Sequence, residues 1–325
     1  MRKEASFLRR RPRRRSRHAR VPGRAEPRRA GQEVLEDLAG IRLPAKPHAH
    51  AGEVRAHRAM MRRVPLRFAK YHGLGNDFVL VEGPLMDAER ARRVCDRHRG
   101  IGADGVVTIL PARTSGAAVS MHIYNADGSV AEMCGNAVRC LARHLAERRG
   151  LEGRIRIDTG AGTKECTLHR GPGGAVEGVS VEMGPARLEG EQEFEIGAER
   201  LHAVRVSMGN PHAILFDEPS RARAADVGPR IERAVAGGVN VGFARPGPRG
   251  IELVVWERGA GLTDACGTGA CAATVAAVRR GDVPAGAPVE VRLPGGTLEI
   301  TVSPDLSRVT MRGPAERVFE GEAEL

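Results

Sequence analysis

The stretch Tyr124-Asn125-Ala126-Asp127-Gly128-Ser129-Val130-Ala131-Glu132-Met133-Cys134-Gly135-Asn136 aligns without a gap on Trp256-Glu257-Arg258-Gly259-Ala260-Gly261-Leu262-Thr263-Asp264-Ala265-Cys266-Gly267-Thr268, at an offset of 132. Each copy runs from an aromatic through a Gly-containing turn to Cys-Gly. Two further blocks repeat in the same order at an offset of 134: Gly75-Asn76-Asp77-Phe78 on Gly209-Asn210-Pro211-His212, and Ala161-Gly162-Thr163 on Gly295-Gly296-Thr297. Three ordered matches indicate a duplicated folding unit. Each unit reads as mostly strands with one long buried helix, and the boundary is expected near Met183-Gly184-Pro185. Two cysteines at equivalent places of two similar halves suggest chemistry from two opposite sides, the geometry that inverts a carbon centre.

The elements around the repeat follow from periodicity and capping. Strands are expected at Leu66 to Ala69, Phe78 to Glu82, Val106 to Leu110, Val119 to Tyr124, Ile155 to Ile157, Glu165 to Leu168 and Val179 to Met183. In the second half they are expected at Val204 to Val206, Ala213 to Phe216 and Ile251 to Trp256. A helix from Asp87 to about His98 has Asp87 as N-cap and Gly100 beyond its end. Cys134-Gly135-Asn136 opens a helix that Gly150 closes. Cys266-Gly267-Thr268-Gly269 opens one that is apolar almost all round from Ala270 to Val278, so it must be buried on every side. Pro229 suits the first turn of a further helix through Ile231 and Val235. The last strand, Val318 to Glu320, has no evident counterpart in the second half and can cross back to complete the first sheet.

The 325 residues carry a net charge of +11, but the charge is not spread evenly. Residues 1 to 60 hold 17 Lys+Arg against 6 Asp+Glu, and the remaining 265 hold 34 of each. The basic character belongs to the tail, not to the folded body. Phe7 is the tail's one aromatic, so the stacking residues of a nucleic-acid binder are missing. The run from Arg9 to Arg17 cannot bury a core and reads as a disordered extension. It resembles neither a signal peptide nor a transit peptide. Arginine outnumbers lysine 47 to 4, the mark of a GC-rich coding sequence, and Met60 and Met61 stand just before the first strand as the preferred translation start. No apolar run is long enough for a membrane span. None of the six cysteines forms a Cys-x-x-Cys pair, which argues against a zinc knuckle and for reduced thiols in the cytoplasm.

Several residues stand out chemically. Cys134 and Cys266 each fall at a predicted helix N-terminus, where unpaired N–H groups and the helix dipole are expected to favour the thiolate. The following Gly135 and Gly267 let the backbone approach a ligand closely. Two helix N-termini aimed at one point would also hold a carboxylate. One such cysteine alone would read as a small capping residue; the matched pair does not. Cys95, Cys140, Cys166 and Cys271 read as inert core thiols. His212, pinned in a turn at a strand start, is a candidate modulator of a nearby thiol. Arg258 can grip a carboxylate, and Glu257 can accept from an ammonium. Asn76, Asn125, Asn210 and Asn240 are ordinary turn residues that also offer a donor and an acceptor to a zwitterionic ligand.

The segments Tyr71 to Phe78, Asn125 to Ser129, Met133 to Cys140, Gly209 to His212, Glu257 to Gly261 and Ala265 to Gly269 together resemble the diaminopimelate epimerases, in order, over roughly residues 65 to 322. The resemblance implies an α+β fold of two pseudo-symmetric domains, each a mixed sheet around a central buried helix. It divides the chain into residues 61–183 completed by 312–325, and 184–311. It implies conversion of LL-diaminopimelate to the meso isomer, in lysine and peptidoglycan precursor synthesis, by a cytoplasmic homodimer with no cofactor. Cys134 and Cys266 would be the two acid/base thiols, with His212 and Glu257 tuning them. The backbone amides of Gly135, Asn136, Gly267 and Thr268 would stabilise the carbanion's carboxylate. Asn76, Asn125, Asn210, Asn240, Glu257 and Arg258 would recognise the distal amino-acid end. Lys70 and Lys164, the two lysines of the folded body, sit in no pyridoxal-phosphate context. A Cys134–Cys266 disulfide would inactivate such an enzyme.

Two positions depart from the family pattern. Gly105 stands where some relatives carry a ligand-binding Gln, and Leu262 where many carry Glu. Three other readings compete. A proline racemase-like enzyme has no use for Glu257, Arg258 and the asparagines. A redox or metal-binding protein would keep its function without Cys134 and Cys266. A nucleic-acid binder would act through residues 1 to 60 alone.

Overall fold

Residues 65–83 and 85–324 are described by the computed structural model. The expectations for residues 1 to 60, their disorder and the start at Met60 or Met61, lie outside the described residues. Two glycine-stopped helices organise the rest. The first half runs β1 (Leu66–Gly73), β2 (Asn76–Glu82), α1 (Ala88–Cys95), β3 (Gly105–Leu110), β4 (Val119–Asn125), β5 (Val130–Ala131), α2 (Gly135–Arg149), β6 (Arg154–Thr159), β7 (Gly162–Arg170) and β8 (Val176–Gly184). The second runs β9 (Arg187–Ile196), β10 (Glu199–Ser207), β11 (Pro211–Leu215), α3 (Arg221–Ala234), β12 (Asn240–Gly247), β13 (Gly250–Glu257), β14 (Gly261–Leu262), α4 (Gly267–Arg280), β15 (Pro288–Leu293), β16 (Gly296–Val302), β17 (Val309–Gly313) and β18 (Glu316–Ala323).

The duplication read in the sequence reappears as duplicated strand pairing. β2–β3 and β11–β12 are parallel, and so are β4–β6 and β13–β15. β1–β2 and β10–β11 are antiparallel, as are β6–β7 and β15–β16. The result is one large mixed sheet, continuous from half to half where β17 pairs antiparallel with β8. The final strand does return to the first half, where β18 pairs antiparallel with β1. The expectation that it lacks a counterpart is corrected: β9 follows β8 as β18 follows β17, and β9 pairs antiparallel with β10 as β18 does with β1. β9 is rich in charged residues and mostly exposed, so no apolar alternation announces it.

Each curved stretch of sheet wraps a helix. α2 packs on β8, β1, β2 and β7, and α4 on β16, β10, β11 and β12. α2 ends at Gly150 and α4 at Gly281, both in the left-handed region that glycine adopts without Cβ strain. α4 is nearly all Ala, Gly, Thr and Val, and all but its ends is buried. Small side chains let the sheet approach the helix closely from several sides. Asp87 caps α1, accepting from the amide of Arg90 at 2.7 Å. The helix around Pro229 differs from expectation. Ser220 caps it, so Pro229 lies in its interior instead of its first turn. The preceding Gly228 explains the close packing there, since a Cβ would fall 2.5 Å from Trp256.

The two departures from the family pattern are absorbed by packing. A Cβ at Gly105 would lie 2.9 Å from the Tyr124 carbonyl and 3.2 Å from the Phe78 ring, so glycine is what this strand contact admits. Leu262 packs with Trp256 against the apolar cluster under α3.

Candidate active site

Cys134 and Cys266 are the N-caps of α2 and α4. Both take extended backbone angles, after which the chain turns into the helix. The two helix starts meet across Met311. A Cβ on Gly135 would lie 2.5 Å from Met311 Cε, and one on Gly267 would lie 2.9 Å from Met311 Sδ. The glycines after the cysteines therefore leave space that the Met311 side chain fills, a role the sequence does not reveal. Asn136 ties the same two helix starts together. Its Nδ2 donates to Asn76 Oδ1 at 3.1 Å and to the carbonyl of Ala265, the residue before Cys266, at 3.3 Å.

The surroundings of Cys134 are built from the first half. Its Sγ faces Asn76 Oδ1 at 3.9 Å. Asn76 cannot turn its amide round, because Nδ2 donates to Asp104 Oδ2 at 3.0 Å. Asp104 is itself held by the amide of Asp77 at 3.1 Å and by Arg97 Nη2 at 2.7 Å. Arg97 and Lys70 also pair with Asp77, and together they hold its carboxyl well below the usual range despite its burial. Asp104, Arg97 and Asp77 thus orient the Asn76 oxygen toward the thiol.

The surroundings of Cys266 are built from the second half. Its Sγ accepts from the amide of Gly269 at 3.3 Å and lies 3.7 Å from Thr268 Oγ1. Thr268 accepts from Asn210 Nδ2 at 3.2 Å, and Asn210 Oδ1 pairs with His212 Nε2 at 3.1 Å. With the Asn210 amide committed to Thr268, His212 must be the donor to Asn210 Oδ1. His212 therefore reaches Cys266 only through two intermediaries. It is fully buried, and its Nδ1 has no partner among the described residues. Burial, with the Arg258 and Arg205 charges adding to it, pushes the imidazole down to about 3, so it is neutral at physiological pH. Glu257 sits beside the same thiol. Its Oε1 accepts from Thr263 Oγ1 at 2.6 Å, and burial pushes its carboxyl up while Thr263 and Cys266 pull it back.

The expected depression of the thiol pKa values is reversed. Burial pushes Cys134 up, and the amides of Ala137 and Asn136 offset this only in part. Cys266 is pushed up further, by burial first and by the Glu257 carboxylate second, against the amide of Gly269. Loss of water around a thiolate outweighs a few helix amides. Cys140, Cys166 and Cys271 are fully buried in the core and pushed to about 12, so they stay protonated. All six cysteines are free.

The remaining candidates divide. Asn240 is buried between Pro211 and Arg258, donating to the carbonyl of the first at 2.9 Å and accepting from the amide of the second at 3.0 Å. Both ends of its side chain are thereby engaged with backbone. Arg258 is exposed next to Glu257, with Nη1 on the carbonyl of Gly237 at 3.1 Å. Asn125 ends β4 opposite Gly105, and its side chain donates to Ser129 Oγ at 2.9 Å. Asp104 and Met311 were not singled out from the sequence. Asp104 lies in Gly102-Ala103-Asp104, beside Gly105, and its pairing with Arg97 at 7 residues' distance was the available clue. Met311 carried no signal. Among the described residues no cluster of His, Cys, Asp and Glu could hold a metal, and no helix is long and apolar enough to cross a membrane.

The sequence pattern of the diaminopimelate epimerase family matches residues 68–189 and 204–318. The diaminopimelate epimerase of Synechocystis sp. is 42% identical, the alignment covering 80% of this chain and 99% of that protein. The one from Synechococcus elongatus is 44% identical over the same shares, and that of Stutzerimonas stutzeri 40%. Among solved structures, a probable proline racemase from Agrobacterium radiobacter superposes with a TM-score of 0.65 at 19% identity, covering 79% of this chain and 92% of that one. A hydroxyproline epimerase from Agrobacterium vitis gives 0.65 at 18%, covering 81% and 93%. At that identity the likeness concerns the fold alone.

Proposed function

We propose that this chain, which belongs to the diaminopimelate epimerase family, interconverts LL- and meso-diaminopimelate by taking the α-proton onto one thiolate and returning a different proton from a second thiol. The observation that carries the reading is the pairing of Cys134 and Cys266 as N-caps of two helices whose starts share Met311 and are tied by Asn136. One cysteine, as thiolate, takes the α-proton, and the C–H electron pair passes into the adjacent carboxylate as an enediolate. The other, as thiol, returns a proton to the opposite face. The thiolate and thiol have then exchanged places, and proton exchange with solvent resets them. The reverse reaction uses the same pair in the opposite order. No cofactor takes part.

The amides of Gly135, Asn136, Gly267 and Thr268 supply preorganised donors for the charge that develops on the carboxylate. Glu257 raises Cys266 and so favours its thiol form at rest. His212 acts as a neutral donor that fixes Asn210 and, through it, Thr268. Asn76, Asn125, Asn210, Arg258 and Glu257 recognise the distal amino-acid end, and Asn240 holds the Arg258 turn in place. A substrate lacking that end would leave these polar groups unpaired, which is the source of selectivity. The competing proline racemase-like reading gives Arg258 and Glu257 nothing to bind.

The same reading makes the protein a cytoplasmic homodimer. Its thiols have to stay reduced, and the edge strand β18 carries the exposed apolar pair Val318 and Phe319 that a second copy would cover. The test of the function is conversion of LL-diaminopimelate to the meso isomer followed by chiral chromatography. Turnover is expected in the unmodified protein and loss of at least about a thousandfold in Cys134→Ala or Cys266→Ala. Conversion undiminished in either variant would overturn it.

A further inference from the structure

The mechanism above leaves one buried charge unused. Arg139 lies in α2, five residues beyond Cys134, and is fully buried. It pairs with no carboxylate among the described residues. Nε donates to the carbonyl of Pro314 at 3.1 Å, Nη1 faces Met311 Sδ at 3.6 Å, and Nη2 has no partner there. The chain makes room for it with glycines. A Cβ at Gly73 would lie 2.8 Å from Nη2, and one at Gly313 would lie 3.2 Å from Nε. A lone cation in a protein interior is costly, and neutral residues of similar volume fill such sites at lower cost. A cation buried in this way is suited to a matching negative charge that is present when the protein works.

Among the groups that act electrostatically on Arg139 are four thiols: Cys140, Cys134, Cys271 and Cys166. Three of these are closed off in the core and remain protonated. Cys134 alone is half-buried at a helix N-terminus, where it can ionise. Side chains in a helix lean toward its N-terminus, which carries the guanidinium back toward Met311 and the start of α2. The repeat sharpens the point. The position that matches Arg139 in α4 is Cys271, so the second thiol has no such cation to set against Glu257, whose charge acts on both thiols.

We propose that the Arg139 guanidinium is the fixed counter-charge of the Cys134 thiolate, a positioning residue that acts through that thiol and not on substrate. The proposal rests on the reading of Cys134 as an acid/base group. Arg139 makes the two otherwise similar thiols unequal: the Glu257 carboxylate acts on both and raises both, and the opposing cation reaches Cys134 alone.

The test follows the pH dependence of Cys134 alkylation by iodoacetamide, read by peptide mass spectrometry in a Cys266→Ala background. Arg139→Gln keeps a donor for Pro314 but removes the charge. It is expected to raise the midpoint by about one pH unit, seen as a roughly tenfold slower alkylation on the acid limb. An unchanged midpoint in folded Arg139→Gln protein would overturn the proposal. Should that variant fail to fold, Cys134→Asp and Cys134→Asn are compared in thermal stability, with Cys266→Asp and Cys266→Asn as the control pair. Both sites are helix N-caps, so the dipole contributes to each. A larger gain of the acid over the amide at position 134 supports the counter-charge, and an equal or smaller gain there contradicts it. Epimerisation persisting in Cys134→Ala would remove the parent reading instead, whereas its loss there beside an unchanged midpoint would remove only the role of Arg139.

Discussion

Asn136 Nδ2 lies 3.3 Å from the carbonyl of Ala265, so a side chain in the first turn of one cysteine-capped helix is bonded to the backbone just before the other. This bond crosses between the duplicated halves and ties the starts of the two cysteine-capped helices together. Replacing Asn136 by Ala removes it, leaving the Ala265 carbonyl without that partner and Asn76 Oδ1 with only the long contact to Cys134 Sγ. Loss of about 1–3 kcal/mol of stability is expected for groups left unpaired in this way. Chemical denaturation measures it, and steady-state kinetics should show kcat falling more than KM rises.

The glycines after the two cysteines have no room for a methyl group because Met311 occupies the space. Gly267→Ala is predicted to cost about 1–3 kcal/mol through overpacking. Met311→Ala in the same chain should recover part of that loss, since residues in contact do not act additively. A double-mutant cycle by thermal unfolding gives the coupling, and strict additivity would mean that Met311 is not the obstacle.

Asp104 fixes the amide of Asn76, with Oδ2 accepting from it at 3.0 Å. Asp104→Asn permits that amide to turn, so Asn76 no longer presents its oxygen to Cys134. Activity is expected to fall about 10- to 100-fold, the cost of one charge-assisted hydrogen bond or two, with the fold retained. Circular dichroism and the epimerisation assay together check this.

Two pH dependences follow, with opposite bearings. His212 is held down to about 3 from an ordinary 6.5, so the folded protein resists its protonation. Its contribution to stability is complete above pH 6.5 and is lost as pH falls from there through about 3, because the unfolded chain binds the proton first. NMR of the imidazole nitrogens should find a neutral Nε2–H ring at pH 5, and His212→Gln should flatten this part of the stability profile. Cys134 and Cys266 are pushed the other way. A reaction that needs one thiolate and one thiol should therefore have kcat/KM rising with pH as the first thiol ionises and falling again once the second, Cys266, loses its proton, with no limb from His212.

Much of the fold was legible because duplication and capping leave marks in sequence. Cys134 with Gly150, and Cys266 with the small apolar run behind it, outline the two central helices, and the repeat at 132 places them in equivalent units. β9 was not legible, since its residues are charged and its order comes from pairing with β10. The α3 start was misread because Pro229 suits a first turn and a helix interior was the less expected place for it. Within the candidate site, local signals drew attention to the cysteines, His212 and Glu257. The chain from His212 through Asn210 to Thr268, and the meeting of Gly135, Gly267 and Met311, depend on contacts between residues far apart in sequence. The direction of the thiol shifts was missed for the same reason. Helix amides are visible in a sequence, but the depth of burial that opposes them is a property of the assembled fold.

The central claim is that two thiols deliver protons to opposite faces of one carbon, and hydrogen exchange at that carbon tests it most directly. LL-diaminopimelate is incubated with the protein in deuterated water and the α-positions are followed by NMR and mass spectrometry. The account predicts that meso product carries one solvent-derived deuterium at the inverted carbon, because the thiol that returns the proton has equilibrated with solvent. It also predicts that epimerisation disappears in the protein carrying both Cys134→Ala and Cys266→Ala. Meso product formed without deuterium, or undiminished epimerisation in the double variant, would contradict it.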